Sequence, residues 1–93
     1  MKLFVDDERN APKGYTVVRT NLSAIRALRQ FDFDEISLDH DDGGEGFIIT
    51  AYFIVEKYKE KKPVIILHTA NPIAREEMFR LFAENGFQVW LKV

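Results

Sequence analysis

Three times in this chain a short apolar run stops at an acid or a histidine. Leu3-Phe4-Val5 leads into Asp6-Asp7, and Ile36-Ser37-Leu38 leads into Asp39-His40-Asp41. Val64-Ile65-Ile66-Leu67 leads into His68-Thr69-Ala70-Asn71. Short, nearly continuous apolar runs are what strands covered on both faces require, and such strands belong to parallel sheets. In an open α/β sheet the C-terminal ends of the strands share one rim, where ligands bind. The order of the motifs thus directs acids and histidines from three distant stretches to one place.

The stretches between these runs support the same class. Strand signals cover residues 2–5, 15–19, 35–38, 64–67 and 87–93, and the 6–14 stretch reads as a loop through Asn10, Pro12 and Gly14. One helix starts at a Thr20 or Asn21 cap and runs to Gln30, with Leu22, Ala24, Ile25 and Leu28 as its apolar face. A second fits Phe47 to Lys59, where Phe47, Ala51, Ile54, Val55 and Tyr58 share a side. The third has clear limits: Asn71 caps it, Pro72 suits its first position, and Asn85-Gly86 stops it. Phe31, Phe33, Phe53, Phe79 and Phe82 read as core. Alternating strands and helices predict a single α/β domain over residues 1–93 with a mainly parallel sheet. Parallel neighbours normally need a crossover of about a dozen residues or more. The 6–14 stretch is shorter, so either a compact parallel crossover links the first two strands or the second runs antiparallel; the compact crossover is the expectation.

Composition removes several function classes. Net charge is −2, and no basic stripe interleaves with aromatics, so sequence-specific DNA binding is not expected. There are no cysteines, which excludes disulfides and thiolate metal sites. The longest apolar stretch, Phe47 to Val55, is too short to span a bilayer, so no membrane partner is expected and a cytoplasmic location is the default.

The rim residues point to a cation and an anion side by side. Asp6, Asp7, Asp39 and Asp41 crowd one edge, with Glu8 and Asp42 near. Like charges so placed raise one another's pKa unless a cation neutralises them. Hard divalent ions take carboxylate oxygens, so Mg²⁺ is the first expectation; if His40 or His68 also ligates, Mn²⁺, Fe²⁺ or Zn²⁺ fits better. Each aspartate pair taken alone is equally well explained as loop or turn chemistry. Two pairs closing neighbouring strands are harder to explain that way. His68 suits general acid or base work near neutral pH, and His40 and Asp41 suit ligands or groups that orient them. The helix opening at Asn71-Pro72 presents free N–H groups and the positive end of its dipole to a phosphate. Arg75 in its first turn and Arg9 in the first loop supply guanidinium groups, and Lys92 lies near the end of the last strand. A metal cluster beside an anion pocket implies phosphoryl chemistry on a phosphate-containing small molecule, with Asp39 as an alternative nucleophile toward phosphorus.

The segments LFVDDERNAP, YTVVRT, ISLDHDDGGEG and LHTANP together resemble the cyclic-phosphate processing receiver-like family, related to response-regulator receiver domains. The resemblance covers nearly the whole chain. It implies a flavodoxin-like three-layer sandwich with a five-stranded sheet and about three helices. Asp6-Asp7 match the family's Asp-Asp pair, and Asp39-His40-Asp41 its Asp-His-Asp motif, with Asp39 at the receiver phosphoacceptor position. His68-Thr69-Ala70-Asn71-Pro72 match its His-Ser-Ala-Asn-Pro motif, threonine keeping the hydroxyl, and Arg9 and Arg75 match its arginines. The resemblance implies processing of cyclic phosphates on nucleotides or RNA ends. The resulting expectation is a metal-dependent phosphoesterase. Asp39, His40, His68 and Asn71 would be its catalytic groups, and Asp6, Asp7, Asp39 and Asp41 its metal ligands. Arg9, Thr69, Asn71 and Arg75 would hold phosphate. Two other readings stand beside it: a signalling receiver phosphorylated on Asp39, with Thr69 and Lys92 sensing the state, and a non-catalytic cyclic-nucleotide or metal-binding module.

Overall fold

The apolar runs form the strands expected of them. The computed structural model describes residues 1–40 and 46–92. Its strands are β1 (Lys2–Val5), β2 (Tyr15–Val18), β3 (Glu35–Leu38), β4 (Val64–Leu67) and β5 (Val89–Leu91). Its helices are α1 (Asn21–Gln30), α2 (Ile48–Lys57) and α3 (Pro72–Glu84). The sheet order is β2-β1-β3-β4-β5 and every neighbouring pair is parallel. The compact parallel crossover is therefore present: Lys2 lies beside Tyr15 and Val5 beside Val18.

Local chemistry accounts for the helix limits. Thr20 caps α1 through a reciprocal box with Ser23. Asn71 Oδ1 accepts from the N–H groups of Ile73 and Ala74 at the start of α3, where Pro72 needs no donor of its own. Asn21 Oδ1 accepts from the buried Thr50 hydroxyl and backbone N–H, tying the start of α1 to α2. Gly46 has φ +88°, a conformation disfavoured for other residues, and a Cβ there would stand 2.6 Å from the His40 carbonyl oxygen.

Topology decides where the helices go. The steps β2→β3, β3→β4 and β4→β5 all advance across the sheet in one direction, and right-handed crossovers put their helices on one face. The helices accordingly pack in series, α1 on α2 and α2 on α3. Beneath them lie Leu3, Val5, Ile36, Leu38, Ile65 and Leu67, all fully buried. The step β1→β2 runs the other way, so its connection belongs to the opposite face, and that connection is the 6–14 loop. The five-stranded parallel sheet with three helices is the receiver-like, flavodoxin-like architecture expected; among the described residues the helices cover one face and the 6–14 loop lies on the other. Two residues read as core, Phe31 and Phe79, are 46% and 40% exposed, while Phe33 and Phe82 are buried. Among the described residues no helix is long and apolar enough to cross a membrane.

Candidate metal and phosphate site

The strand ladder continues one residue past the regular strands. Asp6 N–H donates to the Val18 carbonyl at 3.2 Å, Asp39 N–H to Val5 at 2.9 Å, His68 N–H to Leu38 at 3.2 Å and Lys92 N–H to Leu67 at 2.8 Å. Successive strand side chains alternate between faces. Leu3, Val5 and their register partners point to the helices, so Phe4, Val17, Ser37, Ile66 and Trp90 point the other way. One step further on, Asp6, Asp39, His68 and Lys92 fall on that same helix-free face. The contacts agree: the His68 ring stacks on Phe4 with centroids 4.7 Å apart and planes 6° apart, and its Nδ1 is 2.8 Å from Ser37 Oγ.

Asp6, Asp39 and His68 converge. All three are buried, and one ligating atom from each lies within 4.8 Å of the others. Asp6 Oδ1 accepts from the backbone N–H groups of Glu8 and Arg9, both at 2.9 Å, and Asp6 Oδ2 lies 2.9 Å from His68 Nε2. Burial works against the Asp6 carboxylate, but the N–H groups of Arg9 and Glu8 and the His68 ring outweigh it and hold its pKa below the ordinary 3.8. Asp39 goes the other way. Burial raises it first and the neighbouring Asp6 charge adds to that, against the N–H bond it accepts from His40 at 2.8 Å. Burial also lowers the His68 pKa below the ordinary 6.5, overriding its attraction to Asp6 and Asp39, which favours the neutral ring. A neutral imidazole donates from one nitrogen only. With Asp6 ionised, Nε2–H donates to Asp6 and Nδ1 accepts from the Ser37 hydroxyl. The two carboxylates are oxygen donors that fit a hard divalent cation, while the imidazole, with both ring nitrogens engaged, holds Asp6 in place.

The remaining candidates take other places. Arg9 reaches the rim: Nη1 donates to the His68 carbonyl at 3.0 Å and Nε lies 3.9 Å from Asp6 Oδ2. Arg19 fastens the same loop by donating to the carbonyls of Asp6 and Arg9. Asp7 is half-buried and stands outside the converging trio. His40 is half-buried, and its carbonyl accepts from Phe47 N–H at the start of α2. Thr69 is buried, its hydroxyl accepting from Asn71 N–H, while the Asn71 carbonyl oxygen of the side chain is used in its own cap. Arg75 borders a groove with Pro72, Phe79 and Leu91, and Leu91 belongs to the helical face. Asp41 lies outside the described residues.

Ser37 escaped the sequence reading, although it carried a signal. A lone hydroxyl inside Ile36-Ser37-Leu38 of a central strand must find a buried partner. That partner is His68. Among the described residues no buried side-chain nitrogen or oxygen lacks a hydrogen bond.

The model of the "Cyclic-phosphate processing Receiver domain" family matches residues 1–84. No curated protein matches the chain. Among solved structures, the response regulator protein TrrA of Thermotoga maritima, crystallised in complex with Mg²⁺-BeF, superposes with a TM-score of 0.70. It is 23% identical, over 99% of this chain and 85% of that one, a likeness of fold.

Proposed function

The chain belongs to the cyclic-phosphate processing receiver domain family, and from that membership and the geometry of its acidic rim we propose that it is a metal-dependent phosphoesterase that opens a cyclic phosphate on a nucleotide or RNA end. The observation that carries this reading is the convergence of Asp6, Asp39 and His68 from the ends of three strands within 4.8 Å of one another. Asp6 and Asp39 would hold the ion, Mg²⁺ or Mn²⁺, whose chemistry when bound is to neutralise phosphate charge and polarise a phosphoryl oxygen. Asp6 is positioned for this by two backbone N–H bonds and by His68, which Ser37 holds in one tautomer. Water adds at phosphorus and releases a proton, one ring P–O bond breaks, and the departing alkoxide takes up one proton in exchange, leaving a monophosphate ester and a free hydroxyl. The Arg9 guanidinium lies beside the developing negative charge.

The test is incubation with a 2′,3′-cyclic nucleotide and Mg²⁺ or Mn²⁺. The expected result is metal-stimulated release of the linear monophosphate, abolished in Asp39→Ala. Full activity in Asp39→Ala would end this reading. The position of Asp39 at the end of β3 in a receiver fold favours a second reading, a phosphoacceptor for a partner kinase or small phosphodonor. It predicts a stable gain of one phosphoryl group by intact mass, absent in Asp39→Asn.

A further inference from the structure

The face of the sheet left without helices holds a pocket. Its floor is Phe4, Ser37 and Ile66, three neighbours in one row across β1, β3 and β4. Tyr15 and His68 also line it, together with Asn10 and Pro12 of the crossover loop. Arg9 and Lys92 complete the lining. The lining is thus aromatic and apolar below, with two cations at its edge, and it shares His68 with the acidic rim. We propose that this pocket binds the organic ring of the phosphate ester, one sugar- or pyrimidine-sized ring, while its phosphate sits on the rim; this rests on the reading of the rim as a phosphate-ester site.

Three observations support the assignment. The volume is about 160 Å³. A cavity of about 150 Å³ admits a benzene-sized molecule, whereas sites enclosing a whole drug-sized ligand begin near 300 Å³. One ring therefore enters and the rest of the ligand stays outside. Next, the polarity matches: aromatic and aliphatic surface faces a ring, the Ser37 hydroxyl offers a polar contact, and Arg9 with Lys92 meet an anion. Finally, the pocket floor and the Asp6–Asp39–His68 row are adjacent rows of the same sheet face, so a ring and the phosphate attached to it reach both at once. The loop matters to both parts. Arg9 belongs to the pocket lining and its backbone N–H fixes Asp6.

Trp90, 58% exposed and beside Ile66 in register, reports binding by its fluorescence. The probes, all with Mg²⁺ present, are uridine 2′,3′-cyclic phosphate, guanosine 2′,3′-cyclic phosphate, methyl riboside 2′,3′-cyclic phosphate and inorganic phosphate. The uridine ester is expected to bind at least tenfold more tightly than inorganic phosphate and more tightly than the guanosine ester. Parity of the methyl riboside with the uridine ester assigns the ring to the sugar; a weaker methyl riboside assigns it to the base. Ile66→Phe fills the pocket from its floor and should cost the uridine ester at least tenfold while leaving inorganic phosphate and Mg²⁺ binding unchanged. Lys92→Gln, at an exposed position, should weaken every ester severalfold with the fold intact. Unchanged ester affinity in Ile66→Phe overturns the pocket, and the phosphoesterase reading survives if Asp39→Ala still abolishes hydrolysis. Absence of both ester binding and hydrolysis in the unmodified protein overturns both.

Discussion

Replacing Asp39 by asparagine is expected to stabilise the metal-free protein and to remove its stabilisation by Mg²⁺. The Asp6 and Asp39 ligating oxygens lie within 4.8 Å of each other. At that separation two unit charges repel by about 3.5 kcal/mol at an effective dielectric constant near 20 and about 0.9 kcal/mol at that of water. Asparagine keeps the oxygen that accepts the His40 N–H, so that hydrogen bond survives. The variant also loses the attraction of Asp39 to Arg9, which lowers the gain. The net expectation is about 1–2 kcal/mol in favour of Asp39→Asn, or roughly 4–8 °C in Tm per kcal/mol for a domain of this size. Mg²⁺ at 100 times its Kd would add about 2.7 kcal/mol to the unmodified protein and little to the variant, inverting the order. The pH dependence follows from the sign of the shift. Because the folded-state pKa of Asp39 is raised above 3.8, protonation favours the folded state, and the penalty for its charge appears as pH rises through the folded value. The advantage of Asp39→Asn should therefore grow as pH rises and fade in acid. Urea denaturation in EDTA and in saturating Mg²⁺, from pH 4 to pH 8, reads all of this. Lower stability of Asp39→Asn in EDTA at pH 7, or equal stabilisation of both proteins by Mg²⁺, would refute the reasoning.

Two further outcomes are expected. Ser37→Ala removes the donor to His68 Nδ1 inside a buried site; it should cost about 1–3 kcal/mol in urea denaturation and shift the His68 ring nitrogen resonances, and unchanged resonances would disconnect Ser37 from the tautomer. Burial and then the hydrogen bond to Glu35 push the Tyr15 phenol up to about 12 from 10. Its contribution to stability is thus full below pH 10 and lost as pH rises through about 12, so the advantage of the unmodified protein over Tyr15→Phe should be constant to pH 10 and then decline.

How far the sequence carried depends on the range of the interaction that decides each feature. Strands marked by unbroken apolar runs, such as Val64 to Leu67, and helix ends set by Thr20 or by Asn71-Pro72, rest on chemistry within a few residues. They are readable locally. The reach of the strand ladder is not. Asp6 and Asp7 are adjacent and chemically alike, yet among the described residues only Asp6 joins Asp39 and His68, because the strand ladder carries Asp6 to the rim and Asp7 already belongs to the crossover loop. The same applies to Ser37, whose partner is 31 residues away in sequence. Phe79 is exposed although Met78 before it is buried, because α3 turns only the stripe Ala74, Met78 and Phe82 inward.

The missing crossover helix links fold to site. A helix between the first two strands would cover Phe4, Ser37 and Ile66, since that connection crosses the face opposite the other three helices. The 6–14 loop instead turns back at once, held by the Asp6 carboxylate and by Arg19 on the carbonyls of Asp6 and Arg9. The bonds that make so short a connection possible are the same bonds that depress the Asp6 pKa and place Arg9 against His68. Shortening the crossover therefore opens a sheet face and fixes the rim carboxylate in a single step. A variant that lengthens this loop must loosen the acidic rim even if every rim residue is retained.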